Sequence, residues 1–111
     1  MYAAGDITGF SLLAHTASRE AEVAVNHMLG RKDLMRYNAI PGVVYTHPEI
    51  AGVGLTEAAA KEKGIEVVIK QLPMAYAGRF VAENEGKDGF CKVIAGKKYG
   101  EILGIHMVGE A

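Results

Sequence analysis

The sequence has no tryptophan, one cysteine and three prolines in 111 residues, and its 12 basic and 13 acidic side chains nearly cancel. Each shortage excludes something. A single thiol, Cys91, can form neither an intrachain disulfide nor a zinc cluster, which removes stapled secreted scaffolds and zinc modules. A net charge of −1 leaves no basic footprint for nucleic acid or for an anionic membrane surface. No apolar run approaches the ~20 residues that a bilayer-spanning helix needs, and no charged-then-apolar leader precedes a cleavage site. The expected compartment is the cytoplasm, with neither nucleic acid nor membrane as partner.

Half of the residues are hydrophobic, enough for a small domain with a limited core that buries roughly two-thirds of its unfolded surface. Residues 11–29 read as a helix. Leu13, Ala17, Ala21 (or Ala24) and Met28 form an i, i+4 stripe, widened by Val25 and Leu29. Ser11 suits the N-cap and Gly30 the C′ position, with Arg31 and Lys32 just past the negative end. Residues 31–39 form a polar connector, which divides the chain into 1–38 and 39–111.

Beyond it the pattern changes to short strands. Val43-Val44-Tyr45-Thr46 is β-branched and aromatic and stops at His47-Pro48. Residues 50–55 are small and apolar, with Gly52 and Gly54 marking close backbone packing or a bulge. Thr56 caps a short helix over 57–63, closed by Gly64. Residues 66–72 form a strand, and 74–82 read as a further one. A turn cluster fills 84–89. Runs 90–95 and 101–108, joined by a loop holding Gly96 and Gly100, carry the hairpin pattern. The fold class is therefore α+β: an N-terminal helix, then a mostly antiparallel sheet of about five strands with one short helix. Leu103, Ile105 and Met107 share one face of the last strand, and Ile102 and Val108 the other. Both faces need cover, and one short helix cannot supply it. A partner chain or additional helices must.

Several residues are candidates for chemistry. Asp6 ends the small-residue strand Tyr2-Ala3-Ala4-Gly5-Asp6 just before the helix. Its carboxylate could accept hydrogen bonds from ligand hydroxyls while free helix N–H groups face an electron-rich atom. On position alone it reads equally as a turn or capping aspartate. His15 could act as an acid or base near neutrality, although packing near a ligand accounts for it as well. His27 suits the helix C-terminus, and His106 reads as a hydrogen-bonded core residue. The four histidines show no metal-ligand spacing, so no metal site is expected. His47 and Glu49 resemble a catalytic pair, but no mechanism is assigned to them. Cys91, in Phe90-Cys91-Lys92-Val93-Ile94, reads as a small buried hydrophobe.

Ala3-Ala4-Gly5-Asp6, the helix start Leu13-Ala14-His15 and the strand Val43-Val44-Tyr45-Thr46-His47-Pro48-Glu49 resemble, in order and spacing, the flavoprotein disulfide reductases. The dihydrolipoamide dehydrogenase branch is the nearest. Arg79, Gly89-Phe90-Cys91-Lys92-Val93 and Leu103-Gly104-Ile105-His106-Met107-Val108-Gly109 continue the resemblance across essentially the whole chain. It implies that 1–38 closes an FAD-binding domain and that 39–111 is an incomplete dimerisation domain. Asp6 would meet the ribityl chain of FAD, and Leu12, Leu13, Ala14 and His15 the flavin ring. The Val43 carbonyl would lie near the nicotinamide of NAD, and the His47-Pro48 bond would be cis. The parent enzyme would be a homodimer that oxidises protein-bound dihydrolipoyl groups through a cysteine pair and FAD.

Neither G-x-G-x-x-G nor C-x-x-x-x-C occurs, and the family's C-terminal His-Pro…Glu catalytic pair has no counterpart. The expectation is a fragment with no catalytic residue of its own, inactive alone and a poor binder of either cofactor. Glutathione reductase-like and mercuric reductase-like substrates stay open. A reading of another class is a standalone dimeric α+β interaction module without a cofactor.

Overall fold

The structure, a computed structural model, describes residues 1–85 and 87–110. Gly86, in the expected turn cluster, lies outside the described residues. The chain divides into two compact units, Met1–Ile40 and Pro41–Ala111. Each is described by itself.

In the first unit Gly5, at φ +90°, leads into a 3-10 turn at Asp6–Thr8, and Gly9, at φ +73°, ends it. Both glycines sit in the left-handed region that side chains disfavour. Helix α1 follows at Ala14–Met28, with extended Leu13 as its N-cap and no side-chain cap. Ser11 is therefore not the cap. The helix starts only after extended Leu13, and the Ser11 hydroxyl pairs with Thr16 Oγ1 at 2.9 Å. At the other end Gly30 does turn the chain: its N–H reaches the His27 carbonyl at 3.0 Å and the Arg31 N–H reaches Asn26 at 2.9 Å.

The buried face of α1 also differs from expectation. Thr16 and Glu20 are its buried residues, whereas Val25 and Met28 of the apolar stripe are 51% and 57% exposed. A unit of one helix and irregular backbone cannot cover two helix faces. Hydrogen bonds to the flanking segments fix which face turns inward.

The second unit contains β1 (Gly42–Val44), β2 (Glu49–Gly54), α2 (Glu57–Glu62), β3 (Val67–Pro73), α3 (Gly78–Asn84), β4 (Phe90–Gly96) and β5 (Ile102–Gly109). Thr56 caps α2, accepting the Ala59 N–H at 3.1 Å. Residues 74–82 are not a strand: a 3-10 turn at Met74–Tyr76 precedes α3. Phe80 and Asn84, four apart, are the buried residues of α3, and Arg79 pairs with Glu83 across one turn at 2.9 Å. That is helical spacing.

All five strands pair antiparallel in the order β1-β2-β5-β4-β3. The β4–β5 hairpin bulges at Ile94/Ala95. The seam between β2 and β5 is tight. A Cβ on Gly104 would strike the Leu55 carbonyl, and one on Gly52 would lie 2.5 Å from His106 Nδ1. His106 Nε2 meets that same Leu55 carbonyl at 2.9 Å. Of the two glycines expected to mark close backbone approach, Gly54 does so, since a Cβ there would strike the Leu103 carbonyl, whereas Gly52 makes room for the His106 ring.

Register places Ile69, Ile94, Gly104 and Gly54 side by side on one face, and Leu72, Cys91, Met107, Ala51 and Val43 on the other. Lys92, on the Ile94 face, bonds Glu57 of α2 at 2.6 Å, which sets α2 over that face. Ile94 and Ala60 are fully buried. Among the described residues, the opposite face is met at its end by α3, where Phe80 approaches Gly109, and by Met74 of the 3-10 turn beside Gly89. It stays partly open, with Leu72 at 53% and Val43 at 40% exposure, and Cys91 half-buried rather than buried.

Candidate cofactor-binding site

Asp6, Leu12, Leu13, Ala14 and His15 all fall in the first unit and Val43 in the second. Asp6 opens the 3-10 turn, and its backbone carbonyl accepts the Gly9 N–H at 3.0 Å. Its side chain is exposed. Leu12 is 71% exposed, Leu13 is half-buried, and Ala14 and His15 are exposed on the first turn of α1. Val43 lies in edge strand β1 opposite Ala51. The His47-Pro48 bond is cis.

What holds the Asp6 turn is a residue that the sequence reading passed over. Glu20 is 5% exposed. Its Oε2 accepts the Gly5 N–H at 2.6 Å, and its Oε1 accepts the hydroxyls of Thr8 at 3.1 Å and Tyr37 at 2.8 Å. A carboxylate taken out of water needs such donors. Gly5 itself packs close to α1, since a Cβ there would lie 3.7 Å from Ala17 Cβ. The connector after α1 is tied down in the same way. Asp33 accepts from Arg19 at 2.6 Å and from Asn26 at 2.8 Å. The only trace of this in the sequence is the i, i+4 spacing of Thr16 and Glu20, a polar stripe beside the apolar one.

These bonds bias the titrating groups. The Gly5 N–H, followed by the Tyr37 hydroxyl, holds the Glu20 carboxyl below its ordinary value, and the bond to Glu20 pushes the Tyr37 phenol up. Asp33 is lowered by the Asn26 amide first and then by Arg19.

The donor set suits an FAD segment. An exposed carboxylate on a pinned turn can accept from hydroxyls, and a 15-residue helix that starts without a side-chain cap leaves N–H capacity for an electron-rich ring edge. Among the described residues no three His, Cys, Asp or Glu side chains cluster to hold a metal ion, and no helix is long and apolar enough to cross a membrane. In the second unit His47 Nδ1 meets Glu110 Oε2 at 3.1 Å, so the partner of His47 is Glu110 rather than Glu49.

Residues 40–111 match the dimerisation domain of the pyridine nucleotide-disulphide oxidoreductases, and the chain belongs to that family. It is 41% identical, over 98% of its length, to a dihydrolipoyl dehydrogenase of Chlamydia muridarum and 42% identical, over its full length, to one of Bacillus subtilis. The crystal structure of LpdA from Mycobacterium tuberculosis superposes on 97% of it with a TM-score of 0.85 at 30% identity. The chain spans about a quarter of these relatives, 23% of each dehydrogenase and 24% of LpdA.

The shifts fix a pH window for the first unit. A lowered carboxyl stabilises the fold above its unfolded value, and that stability is lost as pH falls through the folded value. A raised phenol stabilises the fold below its unfolded value, and that stability is lost as pH rises through the folded one. Stability should therefore be flat near neutrality, fall in acid below the ordinary carboxylate range, and fall in alkali above the ordinary tyrosine value. In an absorbance titration one of the five tyrosines should ionise after the rest, and Tyr37→Phe should remove that late phase. Glu20→Gln should shallow the acid limb without abolishing it, because Asp33 remains. A tyrosine titration unchanged by Tyr37→Phe would contradict the geometry.

Proposed function

We propose that this chain is the part of an FAD-dependent oxidoreductase of the dihydrolipoamide dehydrogenase type that completes the flavin site and supplies much of the subunit interface. The observation that carries the reading is the Asp6 turn, whose carboxylate is left exposed while Glu20 holds Gly5 and Thr8 on either side of it. In this reading Asp6 accepts hydrogen bonds from the ribityl hydroxyls of FAD. Leu12, Leu13, Ala14 and His15 present the start of α1 to the flavin ring, and Val43 lies near the nicotinamide. Bound FAD supplies two-electron transfer between a dithiol and NAD. The substrate we assign is a dihydrolipoyl group on a partner protein, in the cytoplasm. His15 serves here by placement and not as an acid or base. The chain alone lacks the relay cysteines and is inactive.

Asp6→Ala in the enzyme carrying this segment should weaken FAD retention about tenfold or more, the expected effect of losing a charge-assisted hydrogen bond. Equilibrium dialysis against FAD reads this directly, and unchanged retention removes Asp6 from the site.

The second part of the proposal is self-association. The sheet face carrying Leu72, Met107 and Val43 is covered only at its end, and an obligate interface of the kind such a face invites typically buries on the order of 2,000 Å². Light scattering at micromolar concentration should find a homodimer or larger assembly. A well-behaved monomer would mean that this face does not form the interface.

A further inference from the structure

We propose that Glu20 is a positioning residue for the flavin site, clamping the backbone on both sides of Asp6 and so setting where the Asp6 carboxylate stands. This inference rests on the assignment of Asp6 to FAD.

The geometry separates a clamp from a simple buried salt link. Glu20 Oε2 takes the N–H of Gly5, the residue before Asp6, at 2.6 Å. Its Oε1 takes the hydroxyl of Thr8, two residues after Asp6, at 3.1 Å. The Thr8 N–H returns to the Gly5 carbonyl at 2.9 Å, so the four residues 5–8 form a closed turn fastened to α1 at both ends. None of these bonds uses the Asp6 side chain, which stays free for a ligand. Tyr37 supplies a third donor at 2.8 Å from the far end of the connector. It shares Oε1 with the Thr8 hydroxyl and so helps to orient the carboxylate. A ligand group held ready in this way spares the ordering cost of binding.

A purely structural Glu20 would also weaken FAD binding when removed. A double-mutant cycle distinguishes the two, because a residue that works through Asp6 loses its effect once Asp6 is gone. The test measures FAD dissociation constants by flavin fluorescence in the full-length enzyme carrying this segment, for Asp6→Ala, Glu20→Ala, Glu20→Gln and the Asp6→Ala/Glu20→Ala pair. Glu20→Ala should weaken binding about tenfold, and the double variant should fall within about threefold of Asp6→Ala alone. Glu20→Gln should recover most of the loss, since the Gln carbonyl can take the Gly5 N–H while the Thr8 and Tyr37 hydroxyls turn to accept.

Fold-changes that multiply in the double variant would overturn the proposal and leave Glu20 a structural residue only. Should Glu20→Ala not fold, Tyr37→Phe removes one donor of three. Its smaller loss should vanish in the Asp6→Ala background, and its persistence there would overturn the proposal. If Asp6→Ala binds FAD normally, the assignment of Asp6 fails and this inference fails with it. If Asp6→Ala weakens binding while Glu20→Ala does not, only the clamp is wrong.

Discussion

The first unit is organised by one buried carboxylate. Glu20 draws a backbone N–H and a threonine hydroxyl from the turn before α1, and a tyrosine hydroxyl from the connector after it, onto the helix. With only forty residues in the unit, an apolar core of useful size cannot form, and Val25, Met28 and Leu29 are left largely exposed. Hydrogen bonding to an ionised group therefore does the work that burial does in larger domains. A buried carboxylate without donors would be costly, so each donor becomes obligatory and the turn that carries two of them is fixed.

The second unit solves the same problem of size differently. Its strands run antiparallel throughout, and glycines at the β2–β5 seam let the Leu55 carbonyl come in against Gly104 and His106. On one face α2 covers Ile94, while Phe90 and Ile50 farther along it stay exposed, and the other face carries α3 only at its end. A sheet with apolar area left open suits an interface, and residues 40–111 match the dimerisation-domain family.

Much of this was legible in the sequence. Thr56 and Gly64 bracketed α2 because a hydroxyl cap and a left-handed glycine are local devices, and the 90–95 and 101–108 hairpin followed from alternation and its Gly-containing loop. Residues 74–82 were misread because the helical spacing there depends on Asn84, which looks like part of a turn when followed by Glu85 and Gly86. Ser11 has the right chemistry for a cap but the wrong place, since extended Leu13 is the N-cap. Asp6 could be proposed from its Gly-Asp context. Glu20 could not, because a glutamate in mid-helix ordinarily faces water, and only the fold reveals the three donors gathered on it. Residues whose role is set by neighbours in sequence could be read; those set by distant partners could not.

The central claim is that Glu20, ionised, holds the Gly5 amide. The amide proton of Gly5, followed by nuclear magnetic resonance across acid pH in the 111-residue chain, tests it most directly. The account predicts a downfield Gly5 amide that is protected from exchange near neutrality. It should move upfield in a single step as Glu20 takes up a proton, below the ordinary carboxylate range, and that step should be absent in Glu20→Gln. A Gly5 amide that exchanges freely at neutral pH, or whose shift follows the same curve in Glu20→Gln, would contradict it.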